Sequence, residues 1–460
     1  MAYNFIECNR DQAYLMPPSL REWLPEGDLA WFILDAVGQM DLTAFYQKYR
    51  TDGKGQAAYE PSMLVALLLY AYCLGVRSSR QIERLCERDI AFRVIAANQH
   101  PDHSTIARFR QEQGKELERL FTDVLMLCAK AGLLKLGVVA LDGTKMKANA
   151  ALEANRMYES IEQEVKKMLA LAEAKDAEED RLFGQEQRGD ELPEELRHRS
   201  SRLARLKTCK ERLEREAVQE AARQREKIEQ REVQEAQSGC KKRGRKPQEP
   251  DPTPDQQAKA NMTDPDSRIM KTRRGYVQGY NAQAVATEGQ VIIAAELTTL
   301  ENDINQLHPM VEKAQENMAT LQDKEQAIGV VLVDAGYCSE KNLEGMDPEG
   351  PQYLMATQKD HKQRQAICTA PCPRGRIPKD MTLRERMERK LLTKRGRALY
   401  KKRGQMIEPV FGQIKGCRGI ERFMRRGIEA CAQEWKLICA THNLLKLWRC
   451  DWGISLQTAA

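Results

Sequence analysis

The sequence predicts a mixed α/β catalytic core, interrupted by a charged helical arm and preceded by an all-α, helix-turn-helix-like domain. Three observations carry this reading. Two short apolar runs, GVVALDG at 137–143 and IGVVLVDAG at 328–336, both lead into an aspartate. A tract dense in Glu, Lys, Arg, Gln and Ala, with Pro193 as its only proline, fills residues 152–236 between them. From about 20 to 135 apolar residues recur at helical spacing, broken by Pro and Gly. A chain of 460 residues exceeds one ordinary core and leads us to expect several units. We place a helical DNA-binding domain at 1–135, the catalytic core at 136–151 and 260–450, the inserted arm at 152–237, a flexible linker at 238–259 and a tail at 451–460.

In the N-terminal region Pro61 suits a first helical turn and Gly75 the stop after the apolar helix MLVALLLYAYC. Ser78 with Gln81 has the form of a capping box opening the helix SRQIERLCER. A further helix starts near Asp102, with Asp102 or Ser104 as its cap, and carries Arg108 and Arg110. Short helices with tight turns fit a helix-turn-helix that presents these arginines to DNA. They also fit a plain helical bundle with solvated arginines.

At 138–142 the period changes. A β-branched run ending in Asp–Gly reads as a buried strand with a polar end, where chemistry commonly sits. The charged tract that follows reads as a helical hairpin with Ile161, Val165, Met168 and Leu169 on one stripe and Leu203, Leu206 and Leu213 on the other. It lacks sustained heptads. The linker's KRGRKP run, at 242–247, has the form of a minor-groove contact, or of a solvated charge run. Beyond it, GYVQGYNAQAVATEGQVIIAAELTTL predicts two strands turning at Glu288 and Gly289. A helix over 303–318, the strand ending at Asp334, a strand at 352–357 and C-terminal helices complete the order.

The net charge is +6, but residues 381–428 alone hold fifteen Lys and Arg against four Glu, so the positive charge is concentrated near the C-terminus. Such a stripe suits a polyanion. Thirteen scattered cysteines read as reduced thiols. His361, Cys368 and Cys372 lack the second cysteine pair of a zinc site. The N-terminus is polar and the apolar run at 63–75 is too short to span a bilayer, so the expectation is a cytoplasmic, nucleoid-associated protein with no membrane partner.

A strand-terminal Asp is commonly a turn former or cap. Here the two segments share one grammar, and a third carboxylate, Glu408, lies in the basic region. Three converging carboxylates repel one another unless a cation neutralises them, and all-oxygen ligands favour Mg2+ or Mn2+. Two such ions would hold attacking and leaving oxygens in line during phosphodiester cleavage.

The motifs DGTKMKANA (142–150), DAGYCSE (334–340), IEPVFGQIKGCRGIERFMRRG (407–427) and EWKLICATHNLLKL (434–447) resemble those of bacterial insertion-sequence DDE transposases. The element order resembles their ribonuclease-H-like, retroviral-integrase-like core. The N-terminal helices, with YEPSMLVALLLYAYCLGVRSSRQIE, resemble the domain that precedes it in this group. The resemblance implies a metal-binding catalytic triad of Asp142, Asp334 and Glu408, with two Mg2+ or Mn2+ ions. It implies an enzyme that binds the terminal inverted repeats of its element, cuts there and transfers the 3′ ends to target DNA, as a homo-oligomer on double-stranded DNA. A related signature, Tyr-x2-Arg-x3-Glu-x6-Lys, fits Tyr400, Arg403, Glu408 and Lys415 except that four residues separate Arg403 from Glu408. At 100° per residue Glu408 and Lys415 share a helix face and Arg403 stands about 140° away, unless Pro409 resets the phase. Lys145, Lys147, Tyr400, Arg403, Lys415, Arg418, Arg425 and Arg426 are the core's candidate DNA contacts. Asp264 and Asp266 read as turn formers, Trp435 and His442 as core residues. The alternatives are a DNA-binding regulator or domesticated, non-cutting remnant of the same fold, or a nuclease or resolvase with the same core.

Overall fold

The computed structural model describes residues 19–49, 57–168, 194–238, 249–272, 275–321, 327–358, 360–378 and 380–450. The linker's KRGRKP run, Leu169 and the 451–460 tail lie outside the described residues.

Among the described residues seven α-helices precede the sheet: α1 (Leu29–Gly38), α2 (Thr43–Tyr46), α3 (Pro61–Cys73), α4 (Ser79–Arg88), α5 (Ile90–Ile95), α6 (His103–Glu112) and α7 (Gly114–Lys130). Helix α3 is apolar all round and buried all round, as such a sequence must be. Pro61 occupies its first turn, and Gly75 turns the chain at φ +77°. Asp102 caps α6 by accepting from the backbone N–H groups of Ser104 and Thr105. At α4 the expected capping box is not formed: Ser78 is the N-cap residue, but its side chain makes no cap bond. Short α5 was not foreseen; Asp89 caps it at Ala91 and Phe92.

Strand β1 (Val138–Lys147) is followed by the short β2 (Asn155–Met157), a helical stretch over 158–168 and the long helix α8 (Glu194–Ser238). Ile161 and Val165 pack against Leu206, Cys209 and Leu213 in a small apolar cluster of their own, with Met168 and Leu203 beside it. β2 pairs antiparallel with β3 (Lys259–Asn261), so the excursion leaves and returns at one point.

The remaining strands are β4 (Arg268–Thr272), β5 (Gly275–Thr287), β6 (Ile292–Thr298), β7 (Val330–Val333) and β8 (Gln352–Met355). Helix α9 (Leu307–Thr320) joins β6 to β7. β5 is the longest strand. One edge pairs antiparallel with β1, the other with β4 near its start and with β6 along the rest. β1, β7 and β8 run parallel. The sheet therefore reads β6/β4–β5–β1–β7–β8. The turn between β5 and β6 falls at Glu288 and Gly289, with Gln290 taking the positive φ of +62°.

After β8 come α10 (Asp360–Thr369), α11 (Leu383–Leu392), α12 (Lys394–Met406), α13 (Glu408–Gly412) and α14 (Ile428–Trp448). Helix α14 packs against α3, α7 and β6, so the N-terminal helices and the sheet share one apolar core. Trp435 and His442 are buried in it. The Asn443 side chain accepts from Ile292 N and donates to Ile292 O at 2.8 Å each, closing the free edge of β6. Among the described residues no helix is long and apolar enough to cross a membrane.

Candidate active site

β1 begins as four buried apolar residues and pairs with β7 from Val138↔Val330 to Ala140↔Leu332. Two residues beyond that last pair stand Asp142 on one strand and Asp334 on the other. The parallel register thus brings together two aspartates 192 residues apart in sequence. Asp142 accepts from Gly143 N, and Asp334 caps a tight turn by accepting from Gly336 N at 2.9 Å.

Between them lies Arg403, on α12 and 7% exposed. Its guanidinium donates to Asp142 Oδ2 at 2.7 Å and lies 3.9 Å from Asp334 Oδ2. Burial pushes the Asp142 carboxyl up to about 7, Arg403 working against the rise and the Asp334 charge adding to it. Burial also opposes the Arg403 charge, but Asp142, Tyr400, Asp334 and Glu408 outweigh it and raise the pKa. Glu408 opens α13 with Pro409 in its first turn, and its carboxylate reaches back over Gly404. Arg403 therefore stands among the three carboxylates. Among the described residues no three Asp, Glu, His or Cys side chains gather into a ready cation site.

The chain breaks at Ile407 between α12 and α13, and a π-helical turn, Gln413–Cys417, follows. The uniform 100° step that put Glu408 and Lys415 on one face does not hold across this turn. Lys415 instead reaches β1: its ammonium donates to Thr144 Oγ1 at 2.6 Å and Lys145 O at 2.7 Å, and burial lowers its pKa to about 8.

Sequence reasoning missed a polar group on β5 and the segment after β6. Asp303 Oδ1 accepts from the side-chain amides of Asn281 and Gln283, each at 2.7 Å. Lys145 lies 3.8 Å from the same oxygen and also donates to Glu301 O. Gln283 in turn accepts from the Tyr337 hydroxyl. The signal was present: two amides two residues apart in the otherwise small and apolar run NAQAVA, both on one face of a strand.

Residues 249–444 match the family described as Transposase DDE domain, and residues 18–112 the family described as Transposase domain (DUF772). The chain belongs to the insertion-sequence DDE transposases. No curated protein and no solved structure matches it.

The transposase's basic residues divide by environment. Arg110 donates to Tyr72 Oη and Arg77 O. Arg418 is taken up by Tyr72 O, Thr441 Oγ1 and Ile438 O, and burial lowers its pKa to about 10. Arg425 donates to Gln433 at 2.7 Å. Tyr400 is buried. Arg108, Lys147 and Arg426 are exposed, Lys147 pairing with Glu421 at 3.2 Å and Arg426 donating to Asn149 O. A cleft lined by Arg110, Gln111, Asn149, Arg425 and Arg426 separates α6 from the residues following β1. Asp264 and Asp266 do more than form a turn: they accept from Gly427 N and Ile428 N at the start of α14. Cys368 and Cys372 are exposed and free, and the side chain of His361 lies outside the described residues.

Proposed function

We propose that this transposase binds the terminal inverted repeats of its element, cleaves a phosphodiester bond at each end and joins the freed 3′ ends to target DNA. Asp142, Asp334 and Glu408 are its catalytic carboxylates. The single observation that carries the reading is the meeting of Asp142 and Asp334, by strand register, on one buried guanidinium. The strand order β6–β5–β1–β7–β8, three antiparallel followed by parallel neighbours, supports a ribonuclease-H-like core.

The donors fit hard divalent cations such as Mg2+ or Mn2+. They are carboxylate oxygens, and the site already draws a positive side chain into a buried position. Asp142, Asp334 and Glu408 would hold the metal, two ions in the working enzyme. When bound, the ions lower the pKa of the attacking water or 3′ hydroxyl and neutralise charge on the phosphate. Around them the chain orients and excludes. Leu141 and Val333, the residues before the two aspartates, are buried in the core and anchor the strand ends, and Asp334 is fixed by its own turn. Displaced from Asp142, Arg403 becomes a donor for the non-bridging oxygens of the scissile phosphate. Lys415, poised beside Thr144, supplies a second positive charge along the strand.

DNA runs over exposed basic residues: Lys147 and Arg426, with Arg108 on α6. Two copies act together, because two ends must be cut and joined in one reaction. The test is a labelled duplex bearing the element's inverted repeats, incubated with Mg2+ or with EDTA. Metal-dependent cuts at the repeat ends, followed by joined products with added target, support the reading. Repeat-specific binding with no cut under any divalent metal favours a regulator. Cuts with no joined products favour a nuclease or resolvase.

A further inference from the structure

We infer that Gln283 is a positioning strut of the catalytic centre, carried through Tyr337, that fixes the turn holding Asp334 against the strand holding Asp142. The inference rests on the assignment of those two aspartates to the metal.

Gln283 is fully buried on β5 and is the register partner of Gly143, the residue after Asp142. Its side chain lies over that glycine. A Cβ at Gly143 would come within 2.2 Å of Gln283 Nε2, so the glycine of the Asp–Gly pair is required for the amide to lie there. The amide then works in two directions. Nε2 donates to Asp303 Oδ1 at 2.7 Å, which fixes the amide's orientation, and Oε1 accepts from the Tyr337 hydroxyl. Tyr337 is fully buried, and burial keeps its phenol protonated and therefore a donor. It ends the three-residue turn Ala335–Tyr337 that Asp334 caps, and Asn342 Nδ2 holds its carbonyl at 2.7 Å. The path from the Asp142 strand to the Asp334 turn thus crosses one glycine, one amide and one phenol. Metal sites depend on such outer contacts, and loss of one typically weakens metal affinity 10- to 100-fold.

The experiment measures Mn2+ affinity of the full-length protein from the free-ion paramagnetic resonance signal, with thermal melting of the same samples without metal. Tyr337→Phe removes only the hydroxyl. Trp435→Phe is the control: Trp435 Nε1 donates to the backbone carbonyl of Gln283 at 3.1 Å, so it loses a buried hydrogen bond to the same residue without touching the amide. The strut predicts at least tenfold weaker Mn2+ binding for Tyr337→Phe and unchanged binding for Trp435→Phe, however far either melting temperature falls. Equal affinity in Tyr337→Phe and wild type, with Asp334→Asn abolishing binding, overturns the strut and leaves the metal assignment intact. Equal weakening in both aromatic variants also overturns it, as a general loss of packing. Wild-type binding that survives Asp334→Asn overturns the metal assignment, and the strut with it.

Discussion

The Arg403 guanidinium donates to Asp142 Oδ2 at 2.7 Å from a helix 261 residues further along the chain. This pair closes one end of the sheet with a positive charge where, on the proposed function, the carboxylates hold a cation. Arg403 and a bound metal would then compete for Asp142. Arg403→Gln leaves Asp142 buried without its counter-charge, and the metal-free protein should lose about 3 kcal/mol. Mn2+ should bind the variant more tightly than wild type and raise its melting temperature further. Titration calorimetry checks this, and weaker Mn2+ binding in the variant would show that Arg403 helps to assemble the site.

A second buried charge joins the N-terminal helices to the core. Glu434 on α14 accepts from Arg77, from Met424 N and from Arg425 N. Glu434→Ala strands Arg77 and two backbone donors in the interior, at a cost of about 3–5 kcal/mol. Urea unfolding followed by circular dichroism should show the midpoint move down with the residues of α1–α7 and the sheet still melting together. An unchanged midpoint would mean the network contributes nothing.

His442 gives the acid limb of stability. It is buried at 2% exposure, its Nε2 donates to Gln290 O, and burial lowers its pKa to about 3. The unfolded histidine binds its proton near 6.5 and the folded one does not until about 3. Within that window the unfolded state holds more protons, so stability is full above 6.5 and falls as pH drops, by about 1.4 kcal/mol per unit. His442→Gln keeps a donor and should lose this slope, read as the difference between the two stability curves from pH 7 to 4. Parallel curves would refute it.

Exposed Lys147 and Arg426 are expected to neutralise phosphates. Each alanine variant should weaken binding to any duplex alike and reduce the slope of log affinity against log salt by about 1. Arg418→Ala should instead unfold the protein at lower urea, because that guanidinium holds α3 to α14. Filter binding across a salt series separates the two classes.

The sequence made the apolar strands legible because Val138–Leu141 of β1 and all of β7 are buried and apolar. The aspartates that follow these apolar runs were legible for the same reason, although β1 continues past Asp142 to Lys147. β4 was not legible, since Arg268 and Lys271 interrupt any apolar period. The β2–β3 pair is three residues long on each side, below any periodic signal. A uniform helix phase did not hold from Arg403 to Glu408 because the chain breaks at Ile407, next to the Pro409 that the sequence offered as a phase reset, nor from Glu408 to Lys415 because Lys415 lies in a π turn, which a sequence period cannot reveal. Asp303 was hidden because its place beside Asp142 depends on Asn281 and Gln283, two strands and a loop away. The inward turn of Arg110 and Arg418 was hidden likewise: a basic residue in a basic stripe looks solvated until its carbonyl partners on another helix are known.

On the proposed function, Asp142, Asp334 and Glu408 form one catalytic unit. The direct measurement is cleavage of a labelled duplex carrying the element's ends, with Mg2+, by wild type and by Asp142→Ala, Asp334→Ala and Glu408→Ala, with binding measured in parallel. Cutting should fall below detection in all three variants while repeat binding stays within a few-fold of wild type. Cutting retained by Glu408→Ala, with the two aspartate variants dead, would contradict it and require another residue in its place.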